Sequence, residues 1–167
     1  MESTLVLKVL TPVDWPLLKA ARLDALKDSP HAFMSRYEVE WDWSEAEWRR
    51  SIEMATWVIA RDTERAIGLA RSVAEPELPK VRYLESIWVD PDRRRRGVFR
   101  ALLHKLADLE RHVGATELLL WVLEDNHPAR HAYQAAGFEP TGKRQFLPEI
   151  GRFELQLRVR IRPSPDS

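Results

Sequence analysis

The spacing of apolar and polar positions divides the chain into strands and helices. Apolar side chains recur three and four positions apart from Val98 to His112, which predicts an amphipathic helix. Apolar and polar residues alternate from Arg152 to Ile161, a pattern typical of an antiparallel strand with one solvent-facing side. The segment from Glu117 to Val122 is almost continuously apolar, which predicts a strand buried on both faces.

Capping residues mark where further helices begin and end. Ser44, followed three positions later by Glu47, forms a capping box. Asn126 precedes another helix, and Gly137 follows its end, where glycine is favoured. Together these signals predict helices over residues 11–29, 44–54, 98–112 and 126–136, and strands over residues 5–9, 56–60, 66–73, 81–89, 117–122, 138–146 and 152–161.

The order of these elements predicts a mixed α/β domain with a central sheet. Pro76 and Pro79 are expected to break the chain ahead of the fourth strand, because proline cannot donate a hydrogen bond to a ladder. The length of 167 residues fits one domain, which is expected to cover residues 1–161. Residues 162–167 are rich in proline and serine, and we expect them to form a flexible tail.

Composition excludes several classes of chemistry. The 26 basic and 26 acidic residues give a net charge of zero, which argues against nucleic acid as the main partner. The chain has no cysteine, so a disulfide framework, a thiolate zinc site and a cysteine nucleophile are all excluded. If the protein transfers acyl groups, the reaction does not pass through an enzyme thioester.

The chain carries no sequence signal for a membrane or for secretion. Its longest unbroken apolar run, from Leu118 to Leu123, is far shorter than the roughly 20 residues that a spanning helix needs. The first residues lack a basic stretch followed by an apolar core, so they do not resemble a signal peptide. The expected location is the cytoplasm, with no membrane partner.

The turn from Asp92 to Arg100, with the sequence DRRRRGVFR, is the first candidate for binding chemistry. Gly97 allows the backbone to approach a ligand, and the helix that follows directs unpaired amides and its positive dipole end toward an anion. Arginines on both sides of Gly97 add charge-assisted contacts to phosphate oxygens. A solvated basic turn and a nucleic-acid patch are the alternatives. The chain contains neither a Walker loop nor a Rossmann glycine motif.

Two motifs resemble the signatures of the GNAT superfamily of N-acetyltransferases. The residues Arg94 to Phe99 (RRRGVF) are similar to [RQ]-x-x-G-x-[GA], and the preceding IWVDP resembles that family's strand and turn. Asn126 to Phe138 (NHPARHAYQAAGF) resembles N-x-x-A-x-x-x-Y-x-x-x-G-F. Phe99 departs from the small residue of the first signature, and Arg95 replaces a second glycine often seen there. We expect the Phe99 side chain to point into the core while its amide still binds phosphate.

The resemblance implies a fold, a co-substrate and a set of binding residues. The fold would be a single GNAT-like domain with a central, mostly antiparallel mixed sheet of about seven strands and about four helices. The enzyme would move an acetyl group from acetyl-CoA directly to a primary amine, without a metal. The implied contacts to coenzyme A are the backbone of Ile87, Trp88 and Val89 for the pantetheine arm, Arg94, Arg95, Arg96, Gly97, Val98, Phe99 and Arg100 for the pyrophosphate, and Asn126 and Ala129 for the arm nearer the thiol.

The same resemblance assigns the two proton-transfer roles. Tyr133 would protonate the leaving thiolate, although a helix tyrosine with its hydroxyl at the surface is the plainer interpretation. Glu85 would take the proton of the amine, directly or through water. A strand-edge glutamate paired with Arg71 or Arg82 is the alternative for Glu85. A base is needed most for an alkylamine, whose pKa of about 10.4 lies far above neutral pH.

Two further groups of residues are weaker candidates. His127 and His131 lie four positions apart but lack the glutamate of a metalloprotease motif, so we expect a solvated helix face and no metal site. The segment from Glu38 to Trp48 combines three tryptophans with five acids. These groups could receive a cationic amine by cation–π contact and charge, or they could be core tryptophans beside solvated carboxylates.

The resemblance leaves the acceptor and the partners open. A small polyamine, an antibiotic, an amino acid and a protein N-terminus all fit the implied chemistry. A catalytically silent acyl-CoA-binding domain of the same fold is the alternative function. Exposed edge strands make a homodimer possible in principle, because an unpaired edge can pair with a second copy.

Overall fold

Seven strands and five α-helices make up the part of the chain, residues 4–63 and 65–163, that is described by this computed structural model. The strands are β1 (Val6–Val9), β2 (Thr56–Arg61), β3 (Ala66–Glu75), β4 (Leu78–Val89), β5 (Glu117–Leu123), β6 (Glu139–Leu147) and β7 (Arg152–Arg160). The helices are α1 (Trp15–Asp28), α2 (Tyr37–Trp41), α3 (Glu45–Glu53), α4 (Val98–His112) and α5 (His127–Ala135).

The strands form one mixed sheet in the order β1-β2-β3-β4-β5-β7-β6. The pairs β1–β2, β2–β3, β5–β7 and β6–β7 are antiparallel. Strands β4 and β5 are parallel, and their ladder runs from the Val81–Glu117 pair to the Tyr83–Leu119 pair. The predicted fold class, a mostly antiparallel seven-stranded mixed sheet with helices, is therefore confirmed.

By its internal contacts the chain divides into two compact units. The first contains the residues up to Val73 together with Glu85–Asp108. Its core is a cluster in which α1, α3 and β2 contribute buried side chains, among them Leu18, Trp48 and Trp57. Each is almost fully removed from water, which is worth roughly 1.5–3 kcal/mol for a large apolar side chain. This core holds the end of β4 and the turn that follows it.

The second unit contains Ala74–Leu84 and the residues from Leu109 onwards. Strand β5 is its centre, and Leu118 and Leu120 are buried as the apolar run predicts. Strand β5 pairs along its whole length with β7, from Glu117–Arg160 to Leu123–Glu154. A partly buried ion pair adds to this unit, since Arg82 Nε donates to Glu110 Oε2 over 2.8 Å.

Several predicted boundaries need correction. The first helix does not begin at Thr11, because Pro12–Asp14 form a 3-10 turn and α1 starts at Trp15. Pro79 does not break the chain but is the second residue of β4, where a missing donor is tolerated. Burial along β7 does not follow the alternation of apolar and polar residues, since the polar Gln156 is buried.

Within the described residues there are five α-helices, where about four were expected. The additional helix, α2, has only five residues, and its pattern is too short to show a helical period. Of the expected tail, Arg162 and Pro163 follow β7 without regular structure, and residues 164–167 lie outside the described residues. The single domain over residues 1–161 stays a prediction.

None of the helices within residues 4–63 and 65–163 has the length and apolar character needed to cross a membrane.

Candidate functional site

A buried aspartate, Asp90, connects the end of β4 to the arginine-rich turn. Asp90 donates its backbone amide to Ile67 O over 2.8 Å, and its side-chain Oδ1 accepts from the amide of Asp92 over 2.9 Å. A 3-10 turn, Pro91–Arg93, follows. The first hydrogen bond of α4 runs from Ala101 N to Gly97 O over 3.0 Å, so the preceding amides project from the N-terminus of this helix.

Two residues of this turn have left-handed backbone conformations. Gly97 has a φ of +81°, and nothing lies within 4 Å of the position that a Cβ would occupy. Arg95 has a φ of +61°, which costs a residue with a side chain roughly 1–2 kcal/mol. The sequence departure at Arg95 therefore falls on a position where the backbone favours glycine. Strain of this kind persists only where surrounding contacts hold the turn in place.

The arginines of the turn divide into two groups by their contacts. Arg94 donates from Nε to Val89 O over 3.0 Å and from Nη2 to Asp28 Oδ2 over 2.8 Å. Arg93 donates to Asp62 Oδ2 over 3.0 Å. These two side chains brace the turn against the rest of the first unit.

The other group consists of three exposed cations. Arg95, Arg96 and Arg100 form no ion pair with any residue that the structure describes. They flank Gly97 at the N-terminus of α4. In the predicted phosphate turn, two arginines thus hold the turn in place by hydrogen bonds, and three others form no ion pair with a described residue.

Val98 and Phe99 begin α4 directly after the turn. Val98 is buried, and its Cγ1 lies 3.0 Å from the position where a Cβ on Gly68 would be. Close packing between β3 and α4 thus depends on the absence of a side chain at Gly68. We expected the Phe99 side chain to point into the core. Phe99 is half-buried, so its side chain is neither fully in the core nor fully in solvent.

Asp28, at the end of α1, joins the turn to β4. Its Oδ2 accepts from the indole nitrogen of Trp88 over 2.9 Å and from Arg94 Nη2 over 2.8 Å. Burial raises the pKa of the Asp28 carboxyl, but hydrogen bonds from Ser29, Trp88 and Arg94 outweigh it and leave the pKa below its ordinary value. The carboxylate therefore stays charged and orients both Trp88 and the turn.

Strand β4 is irregular at the position after Glu85. Ser86 has a φ of +56°, which is rare for a residue with a side chain and interrupts the regular strand geometry. Ile87 is half-buried, and Trp88 and Val89 are buried. The side chains of these three residues thus pack against the protein, and the predicted contact to the pantetheine arm is made by their backbone.

Glu85 lies on the exposed side of β4 and pairs with Arg71 of β3. Arg71 donates to Oε2 from Nε over 2.9 Å and from Nη2 over 2.5 Å. Of the two arginines considered as partners, Arg71 is the one that pairs, since Arg82 binds Glu110 instead. The exposed fraction of the Glu85 side chain is 43%, so a solute can reach its carboxylate.

In the second unit, Asn126 and Ala129 form the N-terminal cap of α5. The side chain of Asn126 accepts from the amide of Ala129 over 3.2 Å, as the capping prediction requires. Arg130 donates to Glu124 O over 2.7 Å and ties α5 to the end of β5. The side-chain oxygen of Asn126 is therefore used within the helix cap.

Tyr133 lies on the same helix, one turn further along. Its ring packs edge to face against Phe138, with the ring centres 5.6 Å apart. Although the residue as a whole is half-buried, desolvation of its hydroxyl raises the pKa of Tyr133 far above the ordinary value of 10. The phenol is therefore protonated at physiological pH, which is the form that a proton donor needs.

The tryptophan-rich segment is neither all core nor an open aromatic surface. Trp48 is buried, whereas Trp41 is 53% exposed. Lys19 lies over the ring of Trp41, with Nζ 5.5 Å from its centre, and Lys27 lies 4.8 Å from the centre of Tyr37. The exposed aromatic faces thus already have cations of the protein beside them.

One acid of this segment is not solvated at all. Glu40 is buried and forms a two-point ion pair with Arg22, with both nitrogen–oxygen distances at 2.9 Å. Phe33 packs over the Arg22 guanidinium at 4.7 Å. Breaking such a pair typically costs about 3–5 kcal/mol. This pair fixes α2 against α1 and is structural.

The two histidines of α5 lie on an exposed face, as expected. His127 and His131 line a shallow cavity of about 120 Å³ together with Arg130, Gln134 and Leu155. No cluster of three or more histidine, cysteine, aspartate or glutamate side chains suited to a metal occurs among residues 4–63 and 65–163.

The structure thus groups the predicted residues by unit. In the first unit, Glu85 and residues 87–89 lead into the turn that contains Arg94 to Arg100, and Asp28 fastens that turn. In the second unit, Asn126, Ala129 and Tyr133 share α5. Sequence reasoning missed Asp28, which accepts hydrogen bonds from Trp88 and Arg94, and Ser86, which has a positive φ within β4. Neither an aspartate at the end of a helix nor a serine in a strand carries a local sequence signal for such a role.

Comparison with known proteins identifies the family. The model of the acetyltransferase (GNAT) family matches residues 22–138. A GNAT-family acetyltransferase from Streptococcus pneumoniae has a TM-score of 0.79 at 17% identity, with 95% of this chain and 100% of that chain covered. The ribosomal-protein-S18-alanine N-acetyltransferase from Escherichia coli has a TM-score of 0.70 at 20% identity, with 98% of each chain covered.

A plant structure also shows the same fold. NAA60 from Arabidopsis thaliana, solved with a bisubstrate analogue, has a TM-score of 0.71 at 16% identity, with 96% of this chain and 100% of that chain covered. None of the curated proteins compared with the chain matches it. The sheet order, the turn before α4 and the family match over residues 22–138 lead to one conclusion: this chain belongs to the acetyltransferase (GNAT) family.

Proposed function

We propose that the chain is an N-acetyltransferase that moves the acetyl group of acetyl-CoA directly to a primary amine. The observation that carries this proposal is the turn before α4. Its residues Arg95 and Gly97 have left-handed backbone conformations at the N-terminus of α4, and three cations without ion-pair partners among the described residues lie beside them. Such a turn suits a diphosphate, which both helix-terminal amides and arginines bind well.

The pantetheine arm is assigned to the backbone of Ile87, Trp88 and Val89. The parallel ladder between β4 and β5 covers Val81 to Tyr83, early in a strand that continues to Val89. An extended ligand that pairs with the backbone of Ile87 to Val89, at the end of β4, would bind as an added strand does. The buried side chains of Trp88 and Val89 would keep that backbone in place.

The reaction itself needs one base and one proton donor. The amine nitrogen attacks the thioester carbonyl carbon, a C–N bond forms, and the amine proton passes to Glu85, directly or through water. The C–S bond then breaks with its electron pair on sulfur, and the phenol of Tyr133 donates a hydrogen bond to the leaving thiolate. An amide of residues 87–89 polarises the carbonyl oxygen during the attack.

The resemblance to the family's second signature assigns Asn126 and Ala129 to the arm nearer the thiol. Because Asn126 Oδ1 and the Ala129 amide already bond to each other, contacts from this cap to the ligand would use the remaining atoms, such as the Asn126 amide nitrogen.

The proposal is tested by acetyl transfer to a panel of amines. Release of the free thiol of CoA is measured with a polyamine, aminoglycosides, amino acids and peptides with free N-termini, and the products are checked for the acetyl mass. We expect thiol release that requires both acetyl-CoA and one class of amine. Binding of acetyl-CoA without transfer to any amine would instead favour the silent acyl-CoA-binding alternative.

A further inference from the structure

The ion pair between Arg71 and Glu85 includes the proposed base of the reaction. Both side chains are reachable from solvent, with exposed fractions of 30% and 43%. A pair of this kind on neighbouring strands is worth little to stability when solvent screens it. We therefore examine which ligand the pair could bind.

Arg71 is held in position by a contact independent of Glu85. Its guanidinium carbon lies 5.2 Å from the ring centre of Trp57. Trp57 is buried, and its indole nitrogen donates to Ser51 O over 3.0 Å, so the ring is a fixed support. A planar guanidinium stacked on a fixed ring keeps its donors pointing in one direction.

The pair leaves one donor and one acceptor unused. Both hydrogen bonds from Arg71 end at Oε2 of Glu85, and within residues 4–63 and 65–163 neither Arg71 Nη1 nor Glu85 Oε1 forms a hydrogen bond. The surface therefore presents a positive donor and a negative acceptor side by side. A ligand with a carboxylate next to an ammonium group complements both.

We propose that the acceptor amine is an α-amino carboxylate, such as a free amino acid, whose carboxylate binds Arg71 while its amine faces Glu85. This inference rests on the proposed function, because it names the acceptor class of that reaction. The amine loses its proton to Glu85 and forms the C–N bond as described above, and the carboxylate takes no part in the transfer. A peptide N-terminus or a polyamine lacks the group that Arg71 would bind.

Binding is measured first, because it does not depend on catalysis. Protein saturated with CoA is titrated with each of the common amino acids and with the matching α-carboxamides, followed by NMR. For at least one amino acid, we expect the acid to bind at least tenfold more tightly than its amide. The substitution Arg71→Gln should reduce that ratio below threefold, and Arg71→Lys, which keeps the charge, should retain part of it.

A matched control separates this effect from a general loss of charge. Arg49 forms an ion pair with Glu45 over 2.7 Å and has a similarly exposed side chain. Arg49→Gln should leave the ratio of acid to amide unchanged. The inference is overturned if no amino acid binds, if acid and amide bind equally well, or if Arg71→Gln preserves the ratio.

Acetyl transfer then distinguishes failure of this inference from failure of the proposed function. If amines are acetylated whether or not they carry a carboxylate, the inference is wrong and the proposed function stands. If amino acids bind through Arg71 but no acceptor releases CoA, the binding site stands and the proposed function is wrong.

Discussion

Burial of the Tyr133 hydroxyl limits what this residue can contribute to the proposed reaction. Its raised pKa keeps the phenol protonated, whereas a thiol has a pKa of about 8.5. Full transfer of the proton to the thiolate is therefore uphill, at about 1.4 kcal/mol for each unit of difference. A strong hydrogen bond to the developing thiolate is the favoured role.

The substitution Tyr133→Phe removes the hydroxyl that would form this hydrogen bond, and the ring can still pack on Phe138. We expect turnover to fall by about a hundredfold, with the Kd for acetyl-CoA unchanged within a few-fold. Steady-state kinetics and calorimetry measure the two quantities. Tyr83→Phe is the matched control and should leave turnover unaltered. If Tyr133→Phe turns over as fast as the wild type, Tyr133 has no part in the mechanism.

The substitution Glu85→Gln tests the base. We expect kcat to fall and the pH–rate profile to move to higher pH, because the amine must then lose its proton to solvent before it attacks. Rates from pH 6 to 10 provide the profile. Glu45→Gln, which removes an exposed carboxylate paired with Arg49, should leave its shape unchanged. A profile of the wild-type shape in Glu85→Gln would count against Glu85 as the base.

At the scale of residues, the sequence predicts the conformations that follow from local chemistry. The capping oxygen of Asn126 and the left-handed Gly137 were both predictable, because each depends on a few neighbouring positions. The positive φ of Ser86 and the stacking of Arg71 on Trp57 were not, because they depend on contacts between distant strands. Whether the named residues bind and react as proposed stays a prediction.

At the scale of elements, Asp28 links α1, β4 and the turn before α4. One carboxylate oxygen accepts from both Trp88 and Arg94, so the charge is shared between the strand and the turn. Because its pKa is lowered in the folded protein, this carboxylate stabilises the fold above its unfolded pKa of about 3.9. That contribution is lost as the pH falls through the lower folded value.

The substitution Asp28→Asn should therefore destabilise the protein in a pH-dependent way. At pH 7 we expect a loss of about 1–2 kcal/mol in the free energy of unfolding, measured by urea denaturation with tryptophan fluorescence. The difference from the wild type should shrink as the pH falls from about 4 through the lower folded pKa, below which the wild-type carboxylate is protonated as well. Asp24→Asn, an exposed change on the same helix, should cost little at either pH. An equal loss at all pH values would show that the charge of Asp28 is not responsible.

Elements with a clear period were predictable, and short ones were not. Helix α4 begins and ends at the predicted residues, because its apolar stripe extends over four turns and Gly114 ends it. Helix α2 escaped prediction because its five residues include a buried glutamate, Glu40, whose partner Arg22 lies on another helix. No local pattern contains such a pairing.

At the scale of the whole molecule, the net charge of zero conceals an uneven distribution. Basic and acidic residues balance overall, but Arg95, Arg96 and Arg100 form a local positive cluster at one helix terminus. A local cluster of this kind suits a small anionic ligand, and the absence of a nucleic-acid partner stays a prediction. A homodimer stays a prediction.

Calorimetric titration of the protein with acetyl-CoA tests the central claim most directly. We expect saturable binding with one site, and at least a tenfold weaker Kd when Arg95, Arg96 and Arg100 are all replaced by glutamine, because charge-assisted contacts to phosphate are lost. Replacement of the exposed Arg36, Arg50 and Arg160 by glutamine removes the same charge elsewhere and should leave the Kd within twofold. Absence of binding by the wild type, or equal weakening by both triple variants, would contradict the assignment of this turn as the coenzyme A site.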